Sequence, residues 1–173
     1  AAGRTAAARG RVVRGDGVIA AEVSVDVGGA VRAGAGDQLR IIGNLILVDS
    51  RLEAIGSSGS PAEVEIDGAT SVEGQGLISG HDATLRFNSG LTNEGSLAFG
   101  AGVNDIFGDI NNLGNIIVSG GATATFYDDV ANNAALKVSK VGSTTSVAVF
   151  FGGVTGSGGS TGGGDIFIEG DLQ

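Results

Sequence analysis

The chain repeats itself. NEGSLAF (93–99) lies over NLGNIIV (112–118), with Asn on Asn, Gly95 on Gly114, Leu97 on Ile116 and Phe99 on Val118. This period of about 20 residues, made of short β-like runs and Gly/Asn turns, constrains the fold more than any other feature. A unit that short cannot bury its own apolar face and must stack on copies of itself.

Three apolar ladders follow from the repeat. The first runs Val31, Leu52, Leu77, Leu97, Ile116 and Leu136. The second runs Ile41, Ile66, Phe87, Phe107, Phe126, Phe150 and Ile168. The third runs Leu45, Leu91, Ile110, Val130, Val154 and Leu172, with Thr70 in one slot. A recurring corner joins the second to the third (IIGNL, FGDI, FYDDV, FFGGV, IEGDL), and another follows (TNEG, NNLG, ANNA). Gly tolerates positive φ and Asn or Asp tolerates the left-handed region, so these residues turn a chain sharply. Between corners the apolar residues alternate, as in Leu85–Phe87 and Val147–Val149, which is the period of a half-buried strand. No stretch carries a helical stripe. SSGSPA (57–62), SKVGSTTS (139–146) and GSGGSTGGG (156–164) are expected as loops bulging from the repeat. The predicted fold is all-β: a parallel, right-handed β-helix or solenoid of about six or seven coils. Its core ladder includes Phe87, Phe107, Phe126 and Phe150. An antiparallel sandwich or barrel is the alternative, since TNEG and ANNA also suit hairpins.

Glycine supplies 33 of 173 residues, yet 42% of the chain is hydrophobic, so a core is available despite the glycine. One proline and no three-residue glycine period exclude collagen. A net charge of −9 argues against nucleic acid and against an anionic membrane surface as partners. No apolar run is long enough for a membrane helix, so no membrane insertion is expected. The absence of cysteine excludes a disulfide framework and thiolate metal sites. With no methionine, the chain reads as a mature or trimmed product.

Residues 1–22 differ from the rest. They hold Arg4, Arg9, Arg11 and Arg14 and no acid before Asp16. They are read as an N-terminal arm, with 23–173 as the solenoid domain. The arm's strand-like part, Arg11-Val12-Val13-Arg14, is expected to pair with the last coil of a neighbouring copy. That coil supplies Asp165, Phe167, Glu169 and Asp171. Such strand addition, repeated head to tail, builds a filament rather than a ring.

The chemistry-bearing residues are few. His81 is the single histidine and stands beside Asp82 without a nucleophile. Asp128–Asp129 is the densest acidic spot, but it occupies a corner whose equivalents are Gly152–Gly153 and Ser89–Gly90. Gly162-Gly163-Gly164-Asp165 is one faint copy of a calcium-binding nonapeptide. Thr123-Ala124-Thr125 lacks repeats that would make a threonine array. No catalytic residue, metal site or cofactor is assigned, and the chain is read as a non-enzyme. Tyr127 and Phe151 neighbour ladder positions and are expected to face outward.

The segments FNSGLTNEGSLAF, FGDINNLGNIIV and FYDDVANNAALKV resemble glycine/asparagine-rich β-helical surface proteins of bacteria. That class includes autotransporter-like passenger repeats and secreted proteins with a PEP-CTERM sorting tail, of the kind common in planctomycetes. The resemblance implies an extracellular or cell-surface location and supplies no catalytic residue. The expected function is a self-assembling structural subunit of an extracellular fibre, surface layer or biofilm matrix, partnered by copies of itself. The alternatives are an adhesin that binds extracellular glycans and, third, a polysaccharide-degrading β-helix enzyme.

Overall fold

The computed structural model describes residues 6–8 and 12–172 and is all-β, a solenoid of about seven turns built from parallel sheets. Each coil is a triangle of three short strands. The first face stacks Val23–Val25, Leu45–Val48, Thr70–Glu73, Leu91–Asn93, Ile110–Asn112 and Val130–Asn132, with Ala6–Ala8 before them and Val154–Thr155 after. The second face holds Val12–Arg14, Ala30–Ala33, Arg51–Ile55, Asn115–Val118, Ala135–Val138 and Ser160–Thr161. The third holds Gly17–Ile19, Gln38–Ile41, Ala62–Ile66, Thr123–Phe126, Val147–Phe150 and Asp165–Ile168. Two long strands, Leu77–Phe87 and Ser96–Phe107, bend round the corner and serve both the second and third faces. Counting along the third face gives coils one to eight, seven steps of ~4.8 Å, or about 34 Å along the axis.

The first-face ladder stands as read. Val23, Leu45, Thr70, Leu91, Ile110, Val130 and Val154 pair in register, and Leu172 bridges to Val154. On the second face Ile78, not Leu77, lies between Leu52 and Leu97. The third-face ladder needs a larger correction. Phe87, Phe126 and Phe150 are buried, but they do not form one column and Phe107 is not a core residue: Leu85, Ile106, Phe126 and Phe150 pair in register, while Phe87 stands in the next inward column, beside Ile66. The cause is a pair of register shifts in Ser96–Phe107. The offset between paired residues grows from 19 at Gly80–Phe99 to 21 at Ala83–Asn104. An even spacing lands on the wrong side of the strand, because neighbouring residues point to opposite faces. Phe99, whose ring meets Phe126 edge-on at 5.9 Å, is the additional core phenylalanine.

The arm is also corrected over its described residues. Ala6–Ala8, Val12–Arg14 and Gly17–Ile19 pair in parallel with Val23–Val25, Ala30–Ala33 and Gln38–Ile41. They form the first coil, so the boundary drawn between 22 and 23 marks no break in stacking. Arg11 lies outside the described residues.

The corners explain the glycine. A Cβ on Gly114 would lie 2.2 Å from the Gly95 carbonyl oxygen, so close coil-to-coil approach excludes a side chain there. Beside this corner the inward position changes along the axis. Val25, Leu47 and Val72 give way to Asn93, Asn112 and Asn132. The amides form a buried ladder: Asn93 Nδ2 donates to Asn112 Oδ1 at 2.7 Å, and Asn112 Nδ2 donates to Asn132 Oδ1 at 2.7 Å. Asn93 Nδ2 also donates to the Asn115 carbonyl, exposed to the interior by the tight turn. Burial without such bonds would cost each amide about 1–3 kcal/mol. Among the described residues no donor reaches Asn93 Oδ1, at the end of the ladder that pairs with Val72.

Candidate functional site

Two features stand out: a column of outward side chains on the third face, and the two end coils. The column follows from strand pairing, since in-register parallel stacking puts outward residues over one another. It reads Val18, Arg40, Glu65, Arg86 and Phe107. It continues through Tyr127, whose ring stacks on Phe107 at 4.3 Å and 2°, to Phe151, stacked on Tyr127 at 5.4 Å and 20°. The Arg86 guanidinium caps this pile, its Cζ 4.0 Å from the Phe107 ring centroid.

The charged part of the column is internally paired. Arg40 donates to Asp67 Oδ2 through Nε (3.1 Å) and Nη2 (2.9 Å), and its Nε lies 3.7 Å from Glu65. The hydrogen bond from Arg40, then that from Asn88, holds the Asp67 carboxyl below the usual carboxylate range. The same bond to Asp67, followed by the charges of Asp67 and Glu65, raises the Arg40 pKa. In the aromatic part, the Tyr127 hydroxyl donates to Asp105 Oδ1 at 3.2 Å. Burial, then the Asp105 charge, pushes the phenol's pKa up.

The aromatic stack has a defined chemistry. Its ring faces are used by neighbours in the column, so the edges of Phe107, Tyr127 and Phe151 turn toward solvent. A sugar that stacks on an aromatic needs a free ring face, and the inner rings offer none. Beside the column, the next outward positions run Gln38, Glu63, Thr84, Asp105, Thr125, Val149 and Phe167. A shallow cleft of about 360 Å³ lies over coils one to four, lined in part by Asp16, Gln38, Arg40, Glu63, Glu65 and Arg86.

The end coils form the second feature. Among the described residues, Gly17–Ile19 and Val12–Arg14 are each paired on one side only, as are Ser160–Thr161 and Asp165–Ile168 at the other end. Ile168 stacks inward over Phe150 yet is 37% exposed, and Leu172 is 72% exposed. Val13 and Ile19 are only partly buried against the opposite end of the core. The assembly residues named from the sequence therefore sit at the two ends, but not in the expected pairing. Val12, Val13 and Arg14 belong to the second face. Asp165 and Phe167 belong to the third, with Glu169 and Asp171 just beyond it. Stacked in register, Asp165–Ile168 meets Gly17–Ile19, and Val12–Arg14 meets Ser160–Thr161.

The remaining candidates have structural roles. Asp128 Oδ2 accepts the Gly108 N–H at 2.7 Å and Asp129 Oδ1 accepts that of Gly153 at 2.8 Å, tying successive coils together. Asp82, at φ 47°, accepts the Val103 N–H and lies 3.6 Å from His81 Nε2. Thr123 and Thr125 align with Val103 and Asp105. Among the described residues no group of three or more His, Cys, Asp or Glu is gathered for a metal. The outward column was missed from sequence because Phe107 was placed inside. The stacking partners Phe107, Tyr127 and Phe151 were nevertheless spaced one per coil in plain view. No protein-family model, curated protein or solved structure matches this chain.

Proposed function

We propose that this chain is a non-catalytic structural unit of an extracellular fibre or surface assembly, extended by stacking coils end on end with further copies of itself. One observation carries the reading: among the described residues the first and last coils are strand-paired on one side only, with Ile168 and Leu172 exposed at one end and Val13 and Ile19 only partly buried at the other. An unpaired strand edge is a template for another strand. The charges of the ends are opposite. Residues 1–14 carry four arginines and no acid, whereas 141–173 carry Asp165, Glu169 and Asp171 and no base. The resemblance to bacterial surface proteins supports the extracellular setting.

Sedimentation velocity across a concentration series tests this. The expected result is a ladder of oligomers that shortens as salt rises. Ile168→Glu combined with Leu172→Glu places carboxylates on the uncovered core and is expected to leave a folded monomer. Undiminished oligomers in that variant contradict the reading. The cleft over coils one to four favours a second reading, a glycan-binding surface protein. A glycan array separates the two, because a pure strut retains no glycan.

A further inference from the structure

The second face carries a charge that the rest of the molecule does not. Its strands present Arg14, Arg32, Arg51 and Lys137 against one carboxylate, Glu53, in a chain of net charge −9. Among the described residues the first-face strands have Glu73 and no base. The third-face strands set Glu63, Glu65, Asp105 and Asp165 against Arg40 and Arg86. We propose that coils one to three of the second face bind a carboxylate of an acidic polysaccharide, whose chain lies along this face toward Lys137.

In-register pairing builds the site. Arg14 pairs with Arg32 and Arg32 with Glu53, so two arginines leave the outward side one coil step, ~4.8 Å, apart. Like charges side by side on paired strands are destabilising. The one counter-charge is shared: Glu53 Oε2 lies against Arg32 Nε, and Glu53 Oε1 is 3.5 Å from Arg51 Nη1. Among the described residues no carboxylate pairs with Arg14. Asp16, two residues on, is engaged at the third face, where its Oδ1 accepts the Gln38 N–H at 3.0 Å. Three guanidinium groups therefore stand around one carboxylate, and a bound anion supplies the missing charge. On the third face Arg40 needs none, since Asp67 and Glu65 hold it.

The surroundings suit a carboxylate on a larger body. Arg14, Arg32 and Glu53 line an open cleft of about 580 Å³ with Ala33 and Ile55 as apolar wall; Asp37, at its rim, accepts the Gly34 N–H at 2.7 Å. A guanidinium takes the two oxygens of a carboxylate side by side. Glu53 inside the cleft repels a doubly charged phosphate more than a singly charged carboxylate. Beyond the cleft the outward positions are neutral: Leu77, Ser79, Ser96, Ala98, Asn115 and Ile117. Lys137 ends this stretch, five coil steps or about 24 Å from Arg32. Hydroxyl and amide groups interleaved with aliphatic ones match the hydroxyls and C–H faces of sugar rings. Nucleic acid is disfavoured, because the neutral stretch holds no phosphate and, among the described residues, no outward aromatic on this face stacks a base. An acidic peptide that adds as a strand finds the inner strands of this face already paired on both sides. The site uses no strand edge and lies apart from the third-face cleft, so it stands or falls independently of end-on stacking.

Isothermal titration calorimetry of the natural chain with an oligoglucuronate long enough to span the face tests this, with the oligomer's methyl ester as neutral control. Binding is expected for the acid, weakening as salt rises, and none for the ester. Arg14→Gln, which breaks no ion pair within the described residues, is expected to weaken binding about tenfold, the worth of a charge-assisted hydrogen bond. Lys137→Gln is expected to weaken the oligomer but not free glucuronate. Arg40→Gln, on the third face, is expected to change nothing. No binding of the acid, or equal binding of the ester, overturns the site. Loss of binding in Arg40→Gln but not in Arg14→Gln puts the ligand in the third-face cleft and overturns it too. Tighter binding of polyglutamate or of single-stranded DNA than of the oligoglucuronate overturns the choice of ligand.

Discussion

The two halves of the solenoid share one backbone plan and solve its side-chain problem differently. In coils two to four the third-face column is held by charge: Arg40 clamps Asp67 and lies beside Glu65. In coils five to seven the same column is an aromatic pile, Phe107 on Tyr127 on Phe151, with Arg86 as the joint between the two regimes. The interior changes in the same place. Val25, Leu47 and Val72 are succeeded by the amide ladder of Asn93, Asn112 and Asn132. In-register stacking asks only that each side chain suit its own kind above and below. Aliphatics, aromatics and amides each do, and alternating charges suit one another.

The comparison breaks most readily at the inner aromatic stack. Phe126 is buried between Phe99, met edge-on, and Phe150, stacked at 4.8 Å and 8°. Phe126→Ala is expected to cost about 3–5 kcal/mol in urea unfolding, the range for a large aromatic removed from a core. Asn112→Ala comes next. It strips both amide bonds from the middle of the ladder and leaves Asn132 Oδ1 without its donor. A loss of about 1–3 kcal/mol is expected. An unchanged midpoint would mean that water replaces the ladder freely. Phe107→Ala, on the outer pile, is expected to cost only about 1 kcal/mol, the value of a stacked aromatic pair. A loss equal to that of Phe126→Ala would return Phe107 to the core.

The smallest effect concerns pH. Tyr127 is the single tyrosine, so its ionisation can be followed by absorbance. Burial and Asp105 raise its pKa above 10.0, so the fold favours the neutral phenol. That contribution is complete below the unfolded phenol's pKa and is lost as pH climbs through the folded value. Asp105→Asn is expected to lower the folded pKa toward 10.0. A titration midpoint that does not move would remove Asp105 as a cause.

Much of this architecture was legible in the residues. The first-face ladder from Leu45 to Leu172 was readable because Gly- and Asn-rich corners mark each passage of the chain. The third face was not readable past Phe87, because the register shifts between Gly80 and Ala83 move its pairing by two residues. Nothing local distinguishes an inward from an outward phenylalanine once that count is lost. Coil one was hidden for another reason: Val13 and Ile19 are its inward apolar residues on the second and third faces, too sparse to show a period. The end-coil residues were named, but on mismatched faces.

Electron microscopy of the purified chain, with diffraction from aligned material, tests the end-on claim most directly. Stacked copies are expected as filaments one solenoid wide. They should give a ~4.8 Å reflection along the fibre axis and an axial repeat of about 38 Å, eight coils per copy. Isolated rods about 34 Å long at every concentration, with no axial repeat, would contradict it.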